Sequence, residues 1–230
     1  MLTCSVCGEQ NEDLAVTCRH CHSFLQNRVD AIDLFATIWG LTEHPKGTFR
    51  KIVLSRHKNY VLLLCMILGV AFAVALFSHL NIGRRVENLT PLVVIALLAG
   101  PIAGIVLAWA AAIVAKAVGR VLGGKGSIRN LRSVVAYATF PIAFSFVFVF
   151  PVKFGVFGRY LFDANPSPSV INPTVYYALL TFDVIAAAWA CILGVIGVAI
   201  AHSFTWWKGA VTMAVLLLIL IGVAVAFRGV

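Results

Sequence analysis

The sequence predicts an all-α polytopic membrane protein, in which a bundle of about five transmembrane helices follows a small four-cysteine zinc ribbon and an amphipathic juxtamembrane helix. Hydrophobic residues make up 61% of the 230-residue chain and charged residues 12%, whereas a soluble domain carries about 25% charged residues. The apolar residues form runs of about 20, the length at which a helix crosses a hydrocarbon core of roughly 30 Å. Four of the six cysteines precede the first run as two Cys-x-x-Cys pairs. A small polar module is therefore followed by a hydrophobic body.

The N-terminal segment, residues 1–26, is predicted to be a zinc ribbon. Ten residues separate the two pairs, whose cysteines are the candidate metal ligands: Cys4, Cys7, Cys18 and Cys21. Both sulfurs of a Cys-x-x-Cys turn reach one ion, and four thiolates in a tetrahedron form a closed structural zinc site. So short a segment has almost no core and is expected to fold only with its metal. Two redox pairs or a tail without metal are the alternative, and His20 and His22 are not needed as ligands.

This segment resembles the short zinc ribbons that begin many prokaryotic membrane proteins, in which Cys-x-x-Cys-Gly and a polar loop precede a second Cys-x-x-Cys. Gly8 follows the first pair and permits a positive φ. His22 stands in place of the second glycine, so we expect the second turn to differ. The resemblance implies a small module that has a structural role or binds another protein. A catalytic zinc is not implied, because four thiolates leave no open coordination position.

Residues 27–58 are predicted to form an amphipathic, basic juxtamembrane segment. Ile32, Phe35 and Trp39 recur at helical spacing, and the stretch 46–52 combines two apolar residues with three cations. One interpretation is a helix on the inner leaflet, with its basic side toward lipid phosphates. The other is a helix that packs on the protein's own cytoplasmic loops. The remaining residues, 59–230, form the predicted transmembrane domain.

Five apolar runs in that domain are predicted to be transmembrane helices, because backbone groups in lipid must be hydrogen-bonded within their own segment. The runs cover residues 60–80, 91–115, 134–152, 176–201 and 207–227. Pro141 and Pro151 interrupt the third run, which predicts a kink or a half-helix. Only a few residues join the last two runs, which predicts a tight antiparallel hairpin. In the second run, Gly100-x-x-x-Gly104 is expected to let two helices approach closely.

Lysine and arginine are concentrated on one side of the predicted membrane. The stretch 46–58, just before the first run, holds five, and five more lie between the second and third runs: Lys46, Arg50, Lys51, Arg56, Lys58, Lys116, Arg120, Lys125, Arg129 and Arg132. The opposite connections carry Arg84 and Arg85 in one case and Lys153 and Arg159 in the other, each pair with an acid nearby. This bias predicts a cytoplasmic N-terminus and, after five spans, an external C-terminus. We expect a prokaryotic plasma membrane, or an ER or Golgi membrane if the source is eukaryotic.

The net charge of +9 is explained by this topology and by contact with anionic lipid head groups. The expected partners are therefore the lipid bilayer and its anionic lipids. Nucleic-acid binding is not expected, because no basic stripe is interleaved with aromatic residues on a soluble surface. Homo-oligomerisation is compatible with the sequence.

Asp183 is the only acid well inside a predicted span. A charge near the bilayer centre costs roughly 2.5–3.5 kcal/mol on insertion scales, and such residues usually face the bundle interior. One interpretation is a site for an ion, a proton or a lipid head group. The other is a protonated or hydrogen-bonded packing residue, or a residue near the outer interface, which Tyr176 and Tyr177 would mark.

Three motifs in the hydrophobic body resemble those of a known family. They are Pro45-x-x-Thr48-Phe49 before the first run, the glycine-rich Gly123-Gly124-Lys125-Gly126-Ser127, and Tyr137-x-x-x-Pro141. With the five-helix layout, they resemble the Yip-type (Rab/Ypt-interacting protein) membrane domain family in its prokaryotic form, over roughly residues 35–225. The glycine-rich segment lacks the strand and the Gly-Lys-Ser/Thr order of a phosphate loop, so it is expected to be a flexible cytoplasmic connector.

The resemblance implies a non-enzymatic membrane scaffold or adaptor, whose cytoplasmic zinc ribbon engages a protein partner. The alternative is a small permease or a protein that translocates lipid or ions, with Asp183 in the path. A membrane-embedded enzyme is the weakest hypothesis, because the sequence places no cluster of His, Glu and Asp on one helix face.

Overall fold

The computed structural model describes residues 2–12, 14–26, 30–84, 88–163 and 165–226. Strands β1 (Leu2–Thr3) and β2 (Gln10–Asn11) form a short antiparallel pair at the N-terminus. The described helices follow in chain order: α1 (Leu34–Glu43), α2 (Pro45–Leu54), α3 (Val61–His79), α4 (Leu89–Val121), α5 (Ile128–Ala138), α6 (Phe140–Phe157), α7 (Pro168–Ile171), α8 (Pro173–His202) and α9 (Trp206–Ala226). Arg85, Phe227 and the expected boundary between ribbon and juxtamembrane segment at residues 27–29 lie outside the described residues.

Five helical stretches of the described chain are long and apolar enough to cross a membrane. They are Val61–His79, Leu89–Val121, Ile128–Phe162, Pro173–His202 and Trp206–Val223. Helix α4 alone, at 33 residues, is about 50 Å long at 1.5 Å per residue, so it extends beyond a hydrocarbon core of roughly 30 Å. The predicted fold class, a five-span helical bundle behind a four-cysteine module, is confirmed.

The third span is broken, as its prolines predicted. Helix α5 ends at Ala138 and α6 begins at Phe140, so the break falls at Thr139. Pro141 lies in the first turn of α6, where its missing N–H would have no helical partner in any case. Pro151 lies inside α6. The span therefore consists of an amphipathic half-helix and an apolar half-helix.

Glycines let α3 and α4 pack backbone against backbone. A Cβ atom on Gly69 would lie 2.5 Å from the backbone nitrogen of Gly104, and one on Gly100 would lie 2.7 Å from the Cα of Val70. Non-bonded carbon and nitrogen atoms do not approach this closely, so only glycine fits at these positions. The close approach predicted for Gly100-x-x-x-Gly104 is confirmed, with α3 as the partner.

The hairpin predicted between the last two spans is also confirmed. Helix α8 ends at His202 and α9 begins at Trp206, and Ser203 between them adopts a left-handed φ of 58°. A Cβ atom on Gly209 would lie 2.5 Å from the carbonyl oxygen of Val195. The first turns of α9 therefore pack directly on the backbone of α8.

Helix α2 belongs to the core rather than to the membrane surface. Phe49 and Ile52 are fully buried, and Phe49 lies against Gly197 of α8, where an added Cβ would meet its ring at 2.9 Å. The apolar side of this stretch therefore packs on the protein, on α8 rather than on a loop, while Lys46 and Lys51 on the same helix remain exposed. In α1, by contrast, Phe35 and Trp39 are 81% and 67% exposed, whereas Ile32 precedes the helix and is buried. Ile32 therefore does not share their face.

The glycine-rich segment is not the flexible connector that the sequence predicted. It wraps the ring of His202, a fully buried residue at the end of α8. His202 Nδ1 accepts the backbone N–H of Gly126 at 3.0 Å, and Nε2 lies 3.2 Å from the carbonyl oxygen of Ala115. A Cβ atom on Gly124 would lie 2.7 Å from His202 Cγ. The segment is therefore fixed by close packing, and we call this region, with α2, α5 and the end of α8, the packed end.

Candidate metal centre and membrane cavity

The two Cys-x-x-Cys turns of the ribbon have the same backbone geometry. The N–H of Gly8 donates to the carbonyl of Cys4 at 2.9 Å, and the N–H of His22 donates to the carbonyl of Cys18 at 3.1 Å. Gly8 has a φ of 74° and His22 a φ of 57°. His22 thus adopts the left-handed conformation of the missing glycine, which histidine tolerates better than most residues. The expectation that the second turn would differ is wrong.

These turns bring all four cysteine sulfurs together. The four Sγ atoms lie within 4.8 Å of one another, and the Cys4–Cys21 and Cys7–Cys18 pairs are each 3.6 Å apart. A zinc ion with Zn–S bonds of about 2.3 Å in a tetrahedron requires sulfurs about 3.8 Å apart. The donor set therefore fits one tetrahedral metal ion and supplies its complete coordination sphere.

Asn11 and Ser23 support the cysteine cluster with hydrogen bonds. Asn11 is buried; its Nδ2 donates to the carbonyl of Glu9 at 2.9 Å and lies 3.5 Å from Cys18 Sγ. Ser23 Oγ lies 3.0 Å from the sulfurs of both Cys4 and Cys21. Donors placed around sulfur in this way orient metal ligands and stabilise their charge.

Hydrogen bonds and neighbouring sulfurs shift the thiol pKa values of the cluster in opposite directions. The hydroxyl of Ser23 lowers the pKa of Cys4 to about 6. The N–H of Glu9 lowers the pKa of Cys7, but the thiol of Cys21, burial and the other sulfurs outweigh it and raise that pKa to about 12. The crowded sulfurs therefore oppose loss of the last proton. A bound divalent cation would remove this opposition, because metal binding displaces protons from its ligands.

The ribbon is docked on the packed end of the bundle and still presents apolar side chains. Leu14 packs against the hydrophobic core, and Glu12 forms an ion pair with Lys125 of the glycine-rich segment. Val6 and Phe24 are nevertheless 71% and 61% exposed. The cysteine cluster therefore lies beside exposed apolar surface.

Asp183 lies at the other end of the bundle, which we call the cavity end. Its Oδ1 accepts the hydroxyl of Ser145 at 2.7 Å, and its Oδ2 forms an ion pair with Lys153. The charge count placed Lys153 in a loop, but it lies inside α6 with its side chain only 17% exposed. The sequence therefore located the acid but missed its partner, because Lys153 directly follows the last residue of the predicted run.

The Asp183–Lys153 pair lines a cavity of about 690 Å³. The cavity lies between the C-terminal half of α3, α6, the first half of α8, and the 3₁₀ turn Gly158–Phe162. Its walls are apolar on one side and polar near the ends of α3 and α6. This combination of apolar walls and a few convergent polar groups is typical of small-molecule sites.

Comparisons with known proteins place the hydrophobic body in a family. A family model described as the Yip1 domain matches residues 39–227. The match begins within α1, contains all five candidate spans and leaves out the ribbon. No curated protein and no solved structure matches the chain.

Proposed function

The chain belongs to the Yip1 domain family, and on that premise we propose that it is a non-enzymatic membrane scaffold or adaptor whose cytoplasmic zinc ribbon engages a protein partner. The observation that carries this proposal is the docked ribbon. Its four cysteine sulfurs lie close enough to hold one metal ion, while Val6 and Phe24 remain exposed. A module that is fixed to the bundle and apolar on its surface suits the task of holding a partner at the membrane.

Zinc is the metal we propose for the ribbon, with Cys4, Cys7, Cys18 and Cys21 as its ligands. Thiolate donors at these separations favour zinc among divalent ions. Because the four sulfurs occupy every position of a tetrahedron, the ion has no place for a substrate. Its role would be to hold the two turns together.

We propose that the ribbon end faces the cytoplasm of a prokaryotic cell and that the C-terminus is external. Exposed cations such as Lys46, Lys51 and Arg120 lie at this end, where the positive-inside rule and anionic head groups favour them. The exposed Phe35 and Trp39 of α1 would enter the same interface. The reducing cytoplasm would also keep the thiols available for metal.

Affinity purification of the crosslinked full-length protein from its native membrane tests the adaptor proposal. We expect proteins that are recovered with wild type and lost with the double variant Val6→Ser, Phe24→Ser, because the substitution removes the apolar contacts but keeps the cysteines. Exchange of Val170, which is exposed near the cavity end, for serine is the matched control. Recovery of the same proteins by all three would contradict the proposal.

A small permease is a second candidate, and the cavity with its Asp183–Lys153 pair favours it. Intramembrane charges that pair with one another often mark transport paths. Reconstitution of wild type and Asp183→Asn in liposomes, with ion and lipid flux as the readout, separates the two hypotheses. Flux that the substitution abolishes would establish transport and contradict a purely scaffolding role.

A further inference from the structure

The cavity at the far end from the ribbon has the size and lining of a site for an amphiphile. Its volume of about 690 Å³ exceeds by far the roughly 30 Å³ that one water takes in the liquid and lies within the range of ligand pockets. One wall is apolar, with Val74, Ile142, Phe146 and Phe150. A ligand that fills this space must therefore have an apolar part as well as a polar one.

The polar part of the cavity carries both signs of charge. Asp183 is 41% exposed on its side chain and accepts one hydrogen bond on Oδ1 from Ser145 and one on Oδ2 from Lys153. A carboxylate has about four acceptor positions and an ammonium three donors. Both groups can therefore bind further partners without giving up their mutual contact. A ligand with an anion and a cation a few ångströms apart would match them.

His79 supplies an independent observation that points to a ligand. It is the last residue of α3 and lines the cavity, and its Nε2 is enclosed without a hydrogen-bond partner among the described residues. Buried polar atoms almost always have a partner. A phosphate oxygen in the cavity would provide one once the imidazole ring turned this nitrogen toward the cavity, since the oxygen accepts the N–H of an imidazole.

The depth of the cavity suits a lipid head group. Asp183 follows Pro173, the first residue of α8, by ten positions, which is about 15 Å along the helix. His79 and Lys153 lie near the ends of their own helices. His79 and Lys153 therefore lie toward one end of the bundle. Asp183 and its partner Ser145 lie deeper, level with Phe146, and Ile142 lies about one turn deeper still on α6. The outer end of the cavity is thus polar and its inner end apolar, the order in which head group and acyl chains follow one another in a bilayer lipid.

We propose that this cavity binds a zwitterionic glycerophospholipid whose head group carries a primary ammonium. Lys153 and His79 would bind the phosphate, Asp183 would accept from the ammonium, and the first acyl carbons would lie along Phe146 and Phe150. A primary ammonium is favoured over a quaternary one because it has N–H groups that can donate to Asp183, whereas a quaternary ammonium has none. This site goes beyond the adaptor role and does not depend on it.

Native mass spectrometry of the detergent-purified full-length protein tests the proposal. Phosphatidylethanolamine, phosphatidylcholine and phosphatidylglycerol are added separately at equal concentration. Wild type should retain phosphatidylethanolamine about tenfold more than phosphatidylcholine or phosphatidylglycerol. This is the factor expected for one charge-assisted hydrogen bond. Asp183→Asn and His79→Phe should each reduce that retention by about the same factor. Thr181→Val, an exposed change on α8 outside the cavity lining, should leave it unchanged.

Several outcomes would overturn the proposal. Equal retention of the three lipids, preference for phosphatidylglycerol, or no loss with either variant would each contradict it. If soluble phosphoethanolamine binds as tightly as the lipid, the cavity holds a small polar molecule and the lipid assignment is wrong. Thermal unfolding of each variant distinguishes lost binding from lost folding, and His79→Gln, which keeps a side-chain donor, should restore part of the retention.

Discussion

The two ends of the helical bundle use their polar groups in different ways. At the packed end, the hydroxyl of Tyr137 donates to the carbonyl of Asn59 at 2.8 Å, and both ring nitrogens of the buried His202 have backbone partners. At the cavity end, His79 Nε2 has no partner among the described residues, and the Asp183–Lys153 pair faces open space. The packed end is held by the chain's own contacts, although Arg132 Nε is enclosed there without a partner in the described part of the chain and a smaller cavity of about 280 Å³ lies beside α2 and α5. The cavity end retains more space for a ligand.

The motif residues and the charged residues of the cavity lie at different ends of the bundle. The residues that carry the family resemblance, among them Phe49, Gly124 and Tyr137, lie at the packed end. Their contacts join α2, the glycine-rich segment and α5 to α8 or to the start of α3. Asp183 and Lys153 belong to none of those motifs. The motifs therefore identify contacts that hold the bundle together, whereas the cysteine cluster and the Asp183–Lys153 pair both lie outside them.

Removal of the metal should have the largest effect, and it should be confined to the ribbon. Chelation or Cys18→Ser is expected to make residues 1–26 fully sensitive to protease, because four thiols without metal cannot hold so small a module. The bundle should keep its helicity and its thermal unfolding transition. Circular dichroism and limited proteolysis measure the two responses, with Cys191→Ser as the control. A ribbon that stays protected without metal would show that docking on the packed end is sufficient.

Exchange of a buried phenylalanine at each end should show which end supplies stability. Phe49→Ala removes a fully buried ring and should cost about 3–5 kcal/mol of unfolding free energy. Phe146→Ala removes a ring that lines a cavity and should cost about 1 kcal/mol, because its contacts are incomplete. Unfolding in mixed detergent micelles at increasing SDS fraction gives both values. Equal losses would contradict the distinction between the two ends.

A smaller effect is expected when the space around His202 is filled. Gly124→Val places a side chain against the imidazole and should cost about 1–3 kcal/mol through overpacking. Gly47→Ala in α2 is the matched control, because an added Cβ there meets nothing within 4 Å. It should be neutral or slightly stabilising. If Gly124→Val left the unfolding free energy unchanged, the glycine-rich segment would have moved to make room for the side chain. The packed end would then be less rigid than its contacts imply.

The smallest predicted change lies in the second ribbon turn. His22 adopts a left-handed φ, which costs a residue with a side chain roughly 1 kcal/mol relative to glycine. His22→Gly should therefore raise zinc affinity by about fivefold, and Gly8→Ala should lower it by a similar factor. Competition with a zinc chelator measures both. If His22→Gly lowered the zinc affinity instead, His22 would stabilise the ribbon through contacts of its ring.

The spans and the ribbon could be predicted from local sequence signals. Apolar runs of membrane length, the proline at the third span and the paired cysteines each act within a few residues. The burial of Phe49 could not be predicted in the same way, because Lys46, Arg50 and Lys51 surround it and give α2 the composition of an interfacial helix. Only its contact with Gly197, far away in the chain, makes it a core residue.

The hydrogen-bond and ion-pair partners of Asp183 and His202 could not be predicted from the sequence either. Asp183 was identifiable as a charge within an apolar run, but its partners Ser145 and Lys153 lie on another helix. The role of His202 depends on Gly126 and Ala115, and the sequence offers no signal that joins these positions. Pairings between helices are determined by packing, so they became visible only in the folded chain.

Photo-crosslinking in living cells from position 24 tests the adaptor account most directly. A photoreactive amino acid replaces Phe24, which is exposed on the ribbon, and adducts are compared with those formed from position 170 at the cavity end. We expect a discrete protein adduct from position 24 that disappears when Cys18→Ser is added. No adduct from position 24, or one that persists without the intact cysteine cluster, would contradict it.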